Sequence, residues 1–428
     1  MQTAERAVDV TATRLIEDER IATPAFVYDE QQLIDDVRTV RVAIGPDVRL
    51  LLAMKAFTLD AGLRTVAPLL DGLHASSLFE TRLGRSVLGD EGLIHVTTPG
   101  LRGDEIEEIA ALADHVSFNS LSQWHRFHEA RAPREGWGLR VNPALSVAKD
   151  PRYDPCGRFP RLGVPVDALV DLVRRAPAEL AGLSGLLIHA NCEGTDVTPL
   201  LNTVEILEAR LGPLLDRLRW VDLGGGYLLQ NVDDMGPLHE AVQRMRARGL
   251  VVIMEPGSAI VAAAGYLVGS VVDVFDAQGQ RIAVLDTSIN HAPEVFEYAW
   301  SPDVVGAEHA QEDEVGEGVH LVTGSTCLAG DVFGRYRFPA PLEIGARVVF
   351  TDLGAYSLVK AHRFNGVNLP TVYALHHGEP LLIREFTFTE FVSHYGGTDA
   401  SVRGQLRGRG RPEPALAQPT AAGGAAAL

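Results

Sequence analysis

The apolar run LLLAMKAF carries a lysine near its end, Lys55. Burying an ammonium is costly unless it is neutralised or bonded, so an apolar setting lowers the pKa of a lysine and suits it to Schiff-base formation. A surface lysine at a strand end is the competing reading. DLGGGY (Asp222 to Tyr227) sets Gly224, Gly225 and Gly226 directly after another apolar run, where backbone N–H groups could close on a phosphate without side-chain clashes. EPGS ends the next run and adds Gly257 to the same end. Its Glu255 is a carboxylate that could face a pyridine nitrogen and keep it protonated. One glycine triplet is more often a turn, whereas two glycine loops on adjacent strand ends point more firmly to phosphate. His189, in LLIHANCEG, is either a satisfied core histidine or a flat ring for stacking on a cofactor. GSTCLAGDVFG holds Cys327 and Asp331 among small residues. The thiol could protonate a carbanion and the carboxylate could hold an amine, although a small buried hydrophobe is the commoner role for such a cysteine. DLGAYS offers the Tyr356 hydroxyl to a phosphate. No metal site is expected, because His125 and His128, and His376 and His377, lack further ligands at helpful spacing. A Ser-His-Asp hydrolase is disfavoured by the lack of a Gly-x-Ser-x-Gly elbow after a strand.

Eight apolar runs between Arg49 and Glu255 must position these residues: RLLLAMK, GLHASS, LIHVTT, HVSFNS, WGLRVN, GLLIHAN, RWVDLGGG and LVVIMEPG. Segments of helical periodicity, such as LFETRLGRSVLG, separate them. The alternation predicts a closed parallel (β/α)8 barrel of the TIM type over residues 30–264, whose active face lies at the C-terminal strand ends. Most of the runs end in a polar or small residue there. Polar residues that merely mark strand ends explain Ser77 and Thr98, but not a lysine, a histidine and a glutamate together. After Gly257 the texture turns to β-branched runs with turn residues between them, which predicts a mostly antiparallel β domain over 265–396. TPAFVYD, within the N-terminal segment 1–29, reads as one more strand for that sheet. AEHAQEDEVGEGV reads as an acidic solvated loop, and 397–428, rich in Arg, Gly, Pro and Ala, as a disordered tail.

The 428 residues suffice for two domains, and 46% hydrophobic with 22% charged residues is ordinary for a soluble globular protein. No apolar run is long enough to span a bilayer, and the first twenty residues lack the apolar core of a secretory signal. Three widely spaced cysteines, Cys156, Cys192 and Cys327, fit a reducing cytoplasm. A net charge of -18 disfavours nucleic acid and anionic membranes as partners. It would attract cationic small molecules, although solubility alone also explains it.

With these motifs in order, the chain resembles the fold-type III, alanine racemase-like pyridoxal-phosphate decarboxylases. It is most similar to their carboxynorspermidine/carboxyspermidine branch. The likeness runs from about Thr23 to Tyr395 through LLAMKAF, ASSLFETRLG, FNSLSQ, LRVNP, RLGV, HANCEG, WVDLGGG and EPG. GSTCLAGDVFGRYRF and LGAYSLVKAHRFNG are the segments most specific to the branch. Diaminopimelate decarboxylases usually carry an acid after the cysteine and Arg after EPG, where this chain has Leu328 and Ser258. The resemblance implies that Lys55 bonds pyridoxal phosphate covalently, His189 stacks on its ring and Glu255 pairs with its nitrogen. Gly224, Gly225, Gly226, Gly257 and Tyr356 would hold the phosphate. Cys327 and Asp331 would reach the site of a partner in an obligate homodimer, with Cys327 protonating the product carbon and Asp331 holding the substrate amine. Family members carry a His-Pro-acid stretch after their D-x-S motif, and DTSINHAPEVFEY reaches its histidine one residue sooner. That loop, with Asp286 and His291, is where the substrate would be distinguished. The implied substrate is carboxynorspermidine or carboxyspermidine; diaminopimelate, ornithine, arginine or another diamino acid is the alternative. A non-catalytic homologue is a further one, but such proteins usually lose the lysine, the glycines or the cysteine.

Overall fold

The computed structural model describes residues 10–130, 132–148, 151–152 and 154–397. The first nine residues of the expected N-terminal segment, and the tail from 398 onward, lie outside the described residues. The described residues up to Glu385 belong to one compact unit and residues 386–397 to a second. In the second, the helix Phe388–His394 starts on a capping box in which Thr387 and Glu390 each bond the other's backbone N–H.

In the first unit, β1 (Ala25–Asp29) precedes the barrel strands. These are β2 (Val48–Ala53), β3 (Gly72–Ala75), β4 (Leu93–Thr98), β5 (His115–Phe118), β6 (Gly136–Asn142), β8 (Leu183–Ile188), β9 (Trp220–Asp222) and β10 (Val251–Met254), with the two-residue β7 (Val164–Pro165) beside β6. All pair in parallel, and the contact of β5 with β6 closes the ring, so the eight strands form the expected barrel. The strands are shorter than their apolar runs. Lys55, Ser77, Asn119, His189 and Glu255 sit just beyond the strand ends, in the loops of the active face. Some of these loop residues have local work. Ser77 caps the helix Leu78–Leu88 by accepting from Glu80 N, and Glu80 accepts from Ser76 N at 2.6 Å. Asn119 N donates to Gln123 Oε1 at 2.8 Å, beside the Ser120 cap of the helix Leu121–Phe127.

The barrel interior is layered with the two-residue period of its strands. Leu51, Leu93, Trp220 and Ile253 pack together at the lower level. The Trp220 indole lies across Gly138 and Gly185, where an added Cβ would come within 2.4 Å and 2.0 Å of the ring. His115 stacks on the same indole with ring centroids 4.4 Å apart. Two residues further along the strands the interior turns polar: His74, His95, Ser117, Arg140 and Asp222 are all buried.

β11 (Gly265–Ala277), β12 (Gln280–Leu285), β13 (Glu308–His309), β14 (Val319–Thr323), β15 (Val332–Arg337), β16 (Arg347–Phe350), β17 (Thr371–His376) and β18 (Glu379–Arg384) form the second sheet. β1 lies between β11 and β17, antiparallel to the first and parallel to the second. The sheet is mostly antiparallel, apart from the β1–β17 and β12–β14 pairs. The stretch read as an acidic loop is not wholly irregular, since Glu308 and His309 pair with β15.

Because the indole leaves no room above Gly185, Gly185→Ala is expected to destabilise the fold by ~1–3 kcal/mol through overpacking. A urea melt checks this, with Gly100→Ala as the control, since nothing lies within 4 Å of its added methyl.

Candidate active site

β2 ends at Ala53, and the single turn Met54–Ala56 carries Lys55 clear of the strand into a cavity of about 790 Å³ at the C-terminal face. His189, Gly226, Glu255, Gly257 and Tyr356 line the same cavity, so six of the residues expected at the site share it. The loops that hold them are tied together by backbone bonds. Tyr356 N donates to Ala56 O at 2.9 Å, which fastens the tyrosine loop to the lysine turn. Ala53 N donates to Pro256 O at 3.2 Å, and Gly194 N to Gly226 O at 2.9 Å.

The glycine triplet does less phosphate work than its sequence suggests. Gly224 N donates to Asp222 Oδ1 at 2.8 Å and Gly225 N to His189 Nδ1 at 3.1 Å, so both N–H groups are spent within the protein. Their lack of side chains serves close packing instead. A Cβ on Gly224 would meet Ile188 O at 2.3 Å, and one on Gly225 would meet Glu255 O at 2.2 Å. Gly224 and Gly225 are therefore corrected to packing positions, and the glycines left facing the cavity are Gly226 and Gly257.

Three further expectations are corrected. Asp331 is buried with both oxygens occupied: Oδ1 accepts from Ile289 N at 2.9 Å, and Oδ2 from Ser288 Oγ at 2.9 Å and Thr326 N at 3.0 Å. It fastens the loop that carries Cys327 and is committed to these bonds within its own chain. Asp286 does not line the cavity; its Oδ1 accepts from Ser270 N at 2.8 Å between neighbouring strands. His291 is buried beneath the Asp331 loop with Nδ1 2.9 Å from Thr287 Oγ1, and burial lowers its pKa to about 4. Cys327 is exposed, its N–H donates to Asn365 Oδ1 at 2.7 Å, and it is not among the residues lining the Lys55 cavity.

Sequence reasoning missed several residues that the fold brings in. Glu193, Glu294, Tyr298 and Lys360 line the cavity wall. Lys360 Nζ lies 3.3 Å from Glu294 Oε1 and also pairs with Glu297. The four-residue spacing of Glu294 and Tyr298 on one short helix was the available signal. His74 and His95, adjacent in register on β3 and β4, were also missed. A histidine at the same height in two successive apolar strands was legible as an inward polar layer.

Burial governs the electrostatics. The protein packed around the Lys55 ammonium lowers its pKa, with Glu255 opposing and Arg140 reinforcing the shift. Burial also holds His189 well below the usual histidine range, aided by Lys55 and Arg140. Because Nδ1 of this neutral ring accepts from Gly225, its proton sits on Nε2. Burial and the neighbouring Asp222 push the Glu255 carboxyl upward, with His95 opposing. The Glu193 carboxyl is raised by burial, as is that of Glu294, to about 7 with Lys360 opposing.

The family described as "Pyridoxal-dependent decarboxylase, C-terminal sheet domain" matches residues 25–354. The chain is 33% identical to a carboxynorspermidine/carboxyspermidine decarboxylase of Campylobacter jejuni, over 87% of this chain and 98% of that one. It is 34% identical to a carboxyaminopropylagmatine decarboxylase of Synechocystis, over 90% and 99%. The crystal structure of C. jejuni carboxynorspermidine decarboxylase complexed with norspermidine superposes with a TM-score of 0.78 at 31% identity, over 87% of this chain and all 100% of that one. The chain belongs to the pyridoxal-dependent decarboxylases. It is an enzyme, and its cofactor is pyridoxal phosphate. The cavity fits that group: it brings Lys55 together with Glu255, whose buried Oε1 has no hydrogen-bond partner. Among the described residues no helix is long and apolar enough to cross a membrane.

The raised Glu294 gives a pH prediction. Its native carboxyl binds a proton more tightly than the usual carboxyl at 4.5, so its stabilising contribution is complete below pH 4.5 and is lost as pH rises through about 7. Glu294→Gln is expected to flatten the fall in stability across that window, measured by urea unfolding at both ends. An unchanged slope would count against the raised carboxyl.

Proposed function

We propose that the enzyme decarboxylates a carboxylated polyamine, with carboxynorspermidine and carboxyspermidine as the first substrates to test. One observation carries the reading: the cavity that holds Lys55 and Glu255 also carries two carboxyls, Glu193 and Glu294, in its wall, both raised by partial desolvation. Burial makes an ionised carboxyl costly, and an arriving ammonium would relieve that cost. A long cation with one α-carboxylate fits such a cavity. The similarity to enzymes named for carboxylated polyamines supports it.

Lys55, His189, Glu255, Gly226, Gly257 and Tyr356 are proposed to hold pyridoxal phosphate. Bound there, it supplies an electron sink for the charge left when carbon dioxide departs. The lowered pKa of Lys55 leaves more of its amine neutral at physiological pH, the form a covalent anchor needs. His189 offers a neutral ring face that Gly225 keeps from turning. Glu193 and Glu294 bind the distant amines of the substrate.

The Cys327 thiol is proposed to deliver a proton to the product carbon. Its exposure, on a loop outside the Lys55 cavity of its own chain, supports delivery from a second copy and hence a homodimer with shared sites. We divide the chain into residues 1–29, the barrel 30–264, the sheet domain 265–396 and the remainder. We assign the enzyme to the cytoplasm, where free thiols persist.

Carbon dioxide release from a panel of carboxynorspermidine, carboxyspermidine, carboxyaminopropylagmatine, diaminopimelate and ornithine tests the substrate. Higher kcat/KM on the carboxylated polyamines is expected, and preference for diaminopimelate or ornithine would overturn the reading. Lys55→Ala and Cys327→Ala should each be severely impaired. Refolded together, they should recover about a quarter of wild-type activity, because random pairing of a two-fold dimer leaves one intact site in half the dimers. Recovery no greater than the sum of the two variants would exclude shared sites.

A further inference from the structure

We propose that His95 and Asp222 are positioning residues that act through Glu255: they form a buried relay beneath it that counters the upward push on its carboxyl and so favours the carboxylate against the cofactor's ring nitrogen. The inference rests on the assignment of Glu255 to that nitrogen, made above.

The geometry is that of a relay with one open end. His95 Nδ1 lies 2.8 Å from Asp222 Oδ2, and its Nε2 lies 2.8 Å from Ser117 Oγ. Asp222 Oδ1 accepts from Gly224 N at 2.8 Å, which holds the carboxylate plane. Glu255 Oε1 stands 3.1 Å from the same His95 Nδ1 and has no hydrogen-bond partner. His95 and Asp222 are fully buried and Glu255 is 5% exposed, so water does not screen them. Three strands are needed to build the group. Alternation along β4 and β9 turns His95 and Asp222 inward, and Glu255 follows the end of β10.

Charge explains why an enzyme would bury this set. Left with Asp222 alone, Glu255 would face a second carboxylate and retain its proton. A neutral Glu255 could not hold a proton on a pyridine ring. Burial alone would depress His95, but its contacts with Asp222 and Glu255 outweigh this and raise it to about 9. The charged imidazole thus faces both acids through one nitrogen and opposes the rise of Glu255. The other groups facing Glu255 are His74, whose Nε2 is 3.7 Å away and which burial holds neutral, and the cations Lys55 and Arg140. Neither His74 nitrogen has a hydrogen-bond partner, so His74 cannot substitute for His95 as a fixed donor.

The test compares pyridoxal phosphate with its 1-deaza analogue, which lacks the ring nitrogen, by fluorescence titration of the apoprotein. The wild-type chain should prefer the natural cofactor. His95→Gln and Asp222→Asn keep polar groups of similar size and remove charge. Each should lower that preference roughly tenfold, the equivalent of one pKa unit at Glu255, while leaving analogue affinity near wild type. Equal weakening of both ligands would mean a structural role only and would overturn the relay. Glu255→Gln separates the two levels. If it abolishes the preference while His95→Gln and Asp222→Asn leave it intact, the relay is wrong and the Glu255 assignment stands. If Glu255→Gln itself leaves the preference intact, the assignment fails and the relay fails with it.

Discussion

The Trp220 indole can fill the barrel only where the facing strands carry no side chain, and Gly138 and Gly185 meet that condition. This steric fit sets the level of the interior. Since every second residue of a strand points inward, Asp222 must then stand one layer above the indole. The active-site cavity is therefore built upward from an apolar plug through a polar layer. Gly224 and Gly225 continue the same logic: they let the loop after β9 lie against the backbones of Ile188 and Glu255 with no side chain between.

Within that frame one physical effect acts in opposite directions on acids and bases. Burial lowers Lys55, Arg140 and His189 and raises Glu255, so each moves toward its neutral form. The His95–Asp222 pair resists because its members bond each other: His95 is raised and Asp222 lowered despite complete burial. The floor of the cavity thus retains charge while its walls tend to lose it. A covalent anchor that needs a neutral amine is served by the lowered Lys55, and the charged His95 beneath Glu255 opposes the rise of its carboxyl.

The second sheet contributes through its loops. Asp331 anchors the loop carrying Cys327 and thereby holds the thiol at the surface. The segment after β12 buries His291 and turns Glu294 and Tyr298 to the cavity. A short helix accounts for this, since it changes the facing direction within three residues of His291.

The barrel was legible in the sequence because eight apolar runs alternating with helical segments admit few other arrangements. Lys55, His189 and Glu255 were legible because polar groups at the ends of apolar strands are costly unless used. Asp286, His291 and Asp331 were misplaced because a motif reveals that an acid or imidazole is present but not what bonds it. Their partners, Ser270, Thr287, Ser288, Ile289 and Thr326, come from adjoining strands and loops. The sequence by itself determined the fold class, the lysine and the family, since these depend on periodicity and local pattern. Only the tertiary structure decided which glycines face the cavity, that Glu193 and Glu294 meet there, and that His95 and Asp222 lie beneath Glu255. Those facts depend on strand register and on the direction of N–H and carboxylate groups, which are set when distant segments close on one another.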